Sequence, residues 1–464
     1  MQQFTNRTFD EIEVGATDTV VRTLTATDVE ALALAAGDVE AFHLDLSPDA
    51  VARAATAPGA AAAALVAGVL NRRLPGPGSA IIGTHFRYAG EIHAGDTMTV
   101  VVTARTKYAD GNRIDFDCRC TNREGDVLVD GVATVAAPSK RIAYANIATP
   151  EVVLRRNDGL ARLLQHCEGL APVTCAVVHP CDYDSLMGAI ESAKRGLIVP
   201  TLVGPEAKIR AVAAAANIDL TPYRIVGTPH SHAAADCAVA MARAGEVEAL
   251  MKGSLHTDEL MEAVVSSTTG LRTERRMSHV FVMDVPAYPR TLMITDAAIN
   301  ISPDLACKAD ICQNAIDLAH VLGNKLPKVA ILSATETVNP KMESTLHAAA
   351  LCKMSDRGQI TGGVLDGPLA FDNAVSPEAA RTKGIVSPVA GVADILLVPD
   401  LESGNMMAKQ LTYLAGADSA GIVLGARVPI VLTSRADNVR TRLVSAAVLK
   451  LVAHDRRARL LPRT

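Results

Sequence analysis

The chain of 464 residues contains no tryptophan, and aromatic residues make up only 3% of it. Proteins that bind single-stranded nucleic acid stack bases on aromatic side chains, so this scarcity counts against such a role. Formal net charge is -5, which leaves no general basic field for a polyanion. The nine cysteines are odd in number and scattered, which fits reduced thiols rather than a disulfide framework. Cys118 and Cys120 share one face of a strand-like segment, but no second pair stands near enough in sequence to suggest a metal site. Long hydrophobic runs are also missing. The alanine-rich stretch 59–70 stops at Asn71-Arg72-Arg73 and is too short to span a bilayer. The opening MQQFTNRTFDEIEVG lacks the basic-then-apolar order of a secretory signal, so a cytoplasmic protein is expected.

What is present is a chain long enough for two or three domains, with 49% apolar residues. Its texture changes near residues 137–160. Before this point, Val- and Thr-rich segments at 98–105, 113–120 and 127–136 predict strands. After it, apolar runs such as CAVVHP (175–180), LIVPTLVG (197–204) and YRIVGT (223–228) alternate with helical patterns. KVAILSA (328–334), DILLVPD (394–400) and GIVLGA (421–426) read as further buried strands. Such alternation predicts a mostly parallel sheet covered by helices. The boundaries expected are a first domain over 1–140, a linker over 141–160 and a second domain over 161–464.

Near the end, AGIVLGARVPIVLTSRAD (420–437) reads as a strand pair that delivers Ser434, Arg435 and Asp437 together. A hydroxyl, a guanidinium fork and a carboxylate past an apolar strand suit phosphate binding and proton transfer. Sites in open α/β sheets lie at such strand ends. Other stretches suit anions too. Lys252-Gly253-Ser254 follows the strand-like EALM, and Gly404-Asn405 is expected to precede a helix with free amides. Asp366 and Asp372 are expected around a Gly-Pro turn, with Asp372 also readable as a helix cap. His230 and His232 form an HSH turn with no third ligand in view, so no metal is expected.

In the first domain a helical run ends at Gly37, and Asp38 and His43 follow on a turn. A carboxylate that orients an imidazole can activate water. The apolar helix after Pro58-Gly59 has free N-terminal amides, and the one near Gly59 can donate to an oxygen that gains charge.

Residues 8–136 resemble the MaoC-like, R-specific enoyl-CoA hydratase family. The matching pieces are GD at 37–38, HLD at 43–45, LPGPG at 74–78, HFRYAGEIHAGDTMTV at 85–100 and DGVATV at 130–135. The resemblance implies an α+β hot-dog fold, catalytic roles for Asp38 and His43, and hydration of a trans-2-enoyl-CoA. Glu40-Ala41 and Pro58-Gly59 depart from the usual family pattern. From about 160 onward the chain resembles the phosphate acetyl/butyryltransferase family. The pieces include MKGSLHTDEL (251–260), LMITDAAINISPDL (292–305), ITGGVLDGPLAFDNAVS (360–376), KGIVSPVAGVADILLVPDLESGNMMAKQL (383–411) and VPIVLTSRAD (428–437). This implies an α/β fold of mostly parallel sheets in two subdomains around a cleft. It also implies the reaction acyl-CoA plus phosphate to acyl phosphate plus CoA, with functional roles for Ser434 and Arg435. Asp437 is the nearest carboxylate for a base, and it can instead cap the terminal helix. Arg272, Arg275 and Arg276 are candidates for holding CoA. No bound cofactor is expected, since CoA thioester and phosphate are substrates. A homo-oligomer is expected, with no nucleic-acid or membrane partner. The competing reading is a transferase whose hot-dog domain only dimerises or senses acyl-CoA.

Overall fold

A computed structural model describes residues 4–37, 56–57, 60–90, 92–144 and 159–460. The chain divides into two compact units, Met1–Arg155 and Arg156–Thr464.

The first unit is a curled antiparallel sheet packed on one helix. The sheet order is Thr17–Thr23, Thr97–Tyr108, Arg113–Thr121, Val127–Ala136 and Ala80–Tyr88. Strand Thr97–Tyr108 alternates over residues 97–104, sending Met98, Val100, Val102 and Ala104 inward, and its register shifts after Ala104. Cys118 and Cys120 do share one face and are both buried. Helix Ala60–Arg72 touches all five of these strands and buries Ala61, Ala62, Val66, Val69 and Leu70. This is the hot-dog arrangement, and it explains an apolar helix flanked by alternating strands. Helix Ala26–Ala36 is opened by a Thr25–Asp28 capping box and closed by Gly37 in the left-handed region. Ala143–Tyr144, inside the expected linker, pairs with Phe4–Thr5.

The second unit is built on a single eleven-stranded sheet. Its order is Arg224–Gly227, Ile198–Gly204, Val173–Val178, Ala249–Lys252, Ile430–Val431, Asp418–Leu424, Ser278–Asp284, Leu292–Thr295, Ile395–Leu397, Lys328–Leu332 and Val364–Leu369. The first five strands are mutually parallel, as are the last four. Antiparallel pairings through Asp418–Leu424 and Ser278–Asp284 join the two blocks. The structure thus shows two parallel blocks within one continuous sheet, where two subdomains around a cleft were expected. Both faces are covered. Val173, Cys175 and Val177 point into one core with helices Leu305–Val321 and Val439–Leu460, while Ala176 and Val178 point into another with helix Ser231–Ala244. Burial on both faces explains why these strands are continuously apolar rather than alternating. Among the described residues no helix is long and apolar enough to cross a membrane.

Candidate active site

Two parallel strands of the second unit end side by side, Ala249–Lys252 and Ile430–Val431, with Met251 opposite Val431. Beyond the first lies Lys252-Gly253-Ser254, and beyond the second Thr433-Ser434-Arg435. The topology therefore unites two of the sequence candidates that stand about 180 residues apart.

The loop after Val431 is held from within. The Ser434 amide donates to Asp437 Oδ2 at 2.7 Å, and the Ser434 hydroxyl oxygen accepts the Ala436 amide at 3.3 Å. The hydroxyl hydrogen of Ser434 remains available to a ligand. Arg435 is exposed, and its Nη1 donates to His256 Nε2 at 3.4 Å. That geometry leaves most of the guanidinium fork open. Asp437 does not cap the terminal helix. Asn438 does so, accepting the Thr441 amide at 3.0 Å. Burial raises the Asp437 pKa, against the Ser434 amide and the charges of Arg442, Lys252 and Lys409, which lower it.

Behind this loop lies a residue that sequence reasoning passed over. Arg442, on the first turn of helix Val439–Leu460, is fully buried. Its Nη1 donates to the Lys252 carbonyl at 3.1 Å and to Thr433 Oγ1 at 2.9 Å, and its Nη2 donates to the Ser434 carbonyl at 3.2 Å. Nε is buried without a partner. One guanidinium thus ties both strand ends together. Burial lowers its pKa, partly countered by Asp182, Asp437 and Asp184. The sequence signal was a charged residue near the start of a helix that is mostly apolar over 443–453, broken only by Ser445 and Lys450.

Lys252 differs from the expected open anion grip. It is 1% exposed, and its Nζ donates to the carbonyls of Thr433 at 3.3 Å and Gly253 at 3.5 Å. Burial, with Arg442 and Arg435 nearby, pushes its pKa down to about 8. Gly253 is required by packing, since a Cβ there would stand 2.5 Å from the carbonyl oxygens of Val178 and His179. His179 follows strand Val173–Val178 with a φ of 55°, and its Nδ1 lies 3.0 Å from Ser254 Oγ. Strained residues of this kind collect at functional sites.

Other candidates are placed differently. Gly404 and Asn405 do not precede a helix; they lie inside helix Leu401–Leu414, whose N-cap is Asp400. The Gly404 amide donates to the Asp400 carbonyl, so it is not free. Gly404 instead permits close packing, because a Cβ would meet Val398 Cγ2 at 2.8 Å and the Asp296 carbonyl at 2.9 Å. Asn405 Nδ2 donates to the Ala297 carbonyl at 3.1 Å. Asp366 and Gly367-Pro368 belong to edge strand Val364–Leu369, not to a turn. Asp372 is not a cap; Ala370 holds that position, and Asp372 pairs with Lys383 at 3.3 Å. No hydrogen bond or ion pair among the described residues joins Asp366 or Asp372 to Ser434 or Arg435. The HSH stretch opens helix Ser231–Ala244, with His230 Nδ1 accepting the Ala233 amide. Of the candidate arginines, Arg275 pairs with Asp317 at 2.6 Å, and Arg276 with Asp304 at 3.5 Å. Arg272 forms an isolated backbone bridge with Ala426. Asp38, His43 and Gly59 lie outside the described residues.

Comparison with known proteins shows the family of the chain that carries this strand end. Residues 229–450 match the family described as phosphate acetyl/butaryl transferase. A phosphate acetyltransferase of Rhizobium meliloti is 67% identical over 64% of this chain and 94% of its own length. The chain belongs to the phosphate acetyl/butyryltransferase family. A phosphate butyryltransferase of Clostridium acetobutylicum is 43% identical over 59% of this chain and 91% of its own. The solved branched-chain phosphotransacylase of Enterococcus faecalis is 30% identical, covering 61% of this chain and 99% of its own with a TM-score of 0.54. The second unit thus has the phosphotransacylase fold, and the protein is a phosphate acyltransferase with a hot-dog unit joined ahead of it.

Proposed function

We propose that this phosphate acyltransferase moves a short acyl group reversibly between CoA and inorganic phosphate at the end of strand Ile430–Val431. The observation that carries this reading is the exposed, largely unspent guanidinium of Arg435 beside a Ser434 hydroxyl whose hydrogen is free. Arg435 grips phosphate through paired N–H bonds. A phosphate oxygen attacks the thioester carbonyl, and Ser434 donates to the oxyanion that forms. The carbon–sulfur bond then breaks, CoA leaves as thiolate, and the thiolate takes up a proton. In reverse, the thiol must lose that proton before attacking the acyl phosphate. Asp437 is the group assigned to accept it. Its raised pKa favours proton uptake, and Oδ1 accepts no hydrogen bond among the described residues.

The test is phosphate-dependent CoA release from acetyl-CoA and butyryl-CoA, together with CoA-dependent consumption of the corresponding acyl phosphates in the reverse direction. Asp437→Asn keeps an oxygen for the Ser434 amide but removes the base. A fall of about 100-fold or more in the CoA-attacking direction is expected. An unchanged rate there moves the base elsewhere.

For the first unit we infer hydration of a trans-2-enoyl-CoA by Asp38 and His43, with the amide near Gly59 facing the thioester oxygen. The sequence resemblance and the hot-dog arrangement support this. Glu40-Ala41 and Pro58-Gly59 favour a second reading, a non-catalytic domain for dimerisation or acyl-CoA sensing. Crotonyl-CoA separates the two. Turnover that disappears in Asp38→Asn and His43→Ala supports hydration, and a full-length protein active as a transferase but inert toward crotonyl-CoA supports the second reading.

A further inference from the structure

The end of the large sheet away from Ser434 holds a cavity of about 420 Å³. Strand Asp418–Leu424 runs antiparallel to Ile430–Val431, with Ile422 opposite Val431 and Val423 opposite Ile430. Leu424–Arg427 therefore lies at the opposite strand ends from Thr433–Arg435, and the cavity they line is separate from the transferase site.

Four guanidiniums line this cavity, those of Arg275, Arg427, Arg456 and Arg459, against two carboxylates, Asp317 and Asp455. Two of the cations are neutralised. Arg275 Nη1 donates to Asp317 Oδ2 at 2.6 Å, and Arg459 Nε donates to Asp455 Oδ2 at 2.7 Å. Among the described residues the other two make no salt bridge. Arg456 Nη1 donates to the Arg427 carbonyl at 2.8 Å, and the exposed Arg427 side chain makes no hydrogen bond or ion pair among the described residues. Burial and the Arg459 charge lower the Arg456 pKa, and the Asp455 charge offsets them only in part. The floor is apolar, formed by Leu318, Leu424 and Val452, all buried, with Val321 beside them.

We propose that this cavity binds a phosphate monoester with an apolar body, its phosphate held by Arg427 and Arg456. A phosphomonoester is nearly a dianion at neutral pH and matches two unpaired guanidinium forks, which a lone carboxylate does not. An apolar group of ring size lies on the Leu318–Leu424–Val452 floor and excludes water from the ion pairs. Nothing in the transfer reaction uses these residues.

The test uses the full chain and isothermal titration with phenyl phosphate, benzoate and inorganic phosphate. Phenyl phosphate is expected to bind at least tenfold more tightly than benzoate or inorganic phosphate. Arg427→Ala keeps the carbonyl that anchors Arg456, so the fold is retained while binding weakens at least tenfold. Arg435→Ala, at the other strand ends, leaves phenyl phosphate binding unchanged. Absence of binding overturns the proposal. So does binding that survives Arg427→Ala or disappears in Arg435→Ala, which places the ester in the transferase site. A changed sedimentation mass in Arg427→Ala without loss of ester binding also overturns it, because the arginines then serve a subunit interface.

Discussion

Arg435 and Arg442 stand seven residues apart and occupy opposite environments. Arg435 lies on the loop, exposed, with one 3.4 Å contact to His256. Arg442 lies on the first helical turn, fully buried, with three donors spent on two carbonyls and a threonine hydroxyl. The same side chain has most of its donors open in one place and spent on scaffold in the other. What separates the roles is whether the donors are already used. Lys252 falls on the scaffold side, because its ammonium is spent on backbone carbonyls.

The sharpest way to break this contrast is Arg435→Ala. Transferase kcat is expected to fall about 100- to 1000-fold, as for loss of a key transition-state donor. Thermal stability should be unchanged, since an exposed side chain with one long hydrogen bond contributes little. A large fall in Tm would place Arg435 with the scaffold. Arg442→Met should act mainly on stability. Three acceptors lose their donor, and relief of a buried charge offsets part of the cost, leaving about 2–4 kcal/mol by urea unfolding. Full stability with a lost rate would reverse the assignment.

The smallest expected effect concerns Lys252. Its folded pKa of about 8 lies below the ordinary lysine value of 10.5. Between these limits the unfolded chain binds more protons, so this group makes stability rise with pH across the window, by up to about 1.4 kcal/mol per pH unit. Below pH 8 its penalty is constant. Lys252→Met should remove that slope from urea midpoints measured between pH 8 and 10. An identical slope in both proteins would show that the buried amine is not the titrating group.

Much of this organisation was legible in the sequence. Apolar runs marked the strands because a sheet buried on both faces needs them continuous. The polar triplet after VPIVLT stood out because an apolar strand ends there, and the structure places it just beyond strand Ile430–Val431. The misreadings have physical causes. Gly404 resembled a helix start, but the capping pair was Asp400 with Ser403, and the glycine answers to a neighbouring backbone. Gly367-Pro368 resembled a turn, yet proline is tolerated on the edge strand where it lies. Arg442 was missed because a helical arginine ordinarily faces water. Only the tertiary meeting of two distant strand ends gives it acceptors.

The strand order also bears on how the protein is made. Ile430–Val431 and Asp418–Leu424 come late in the chain but lie in the middle of the sheet, between Ala249–Lys252 and Ser278–Asp284. A ribosome releases the chain from its N-terminus. The facing edges of Ala249–Lys252 and Ser278–Asp284 therefore stay unpaired until residues 418–431 are synthesised, exposed to pairing with other nascent chains. The hot-dog sheet, whose strands end at Ala136, can close long before then. Translation that stops early would leave a finished first unit attached to an open, adhesive half-sheet.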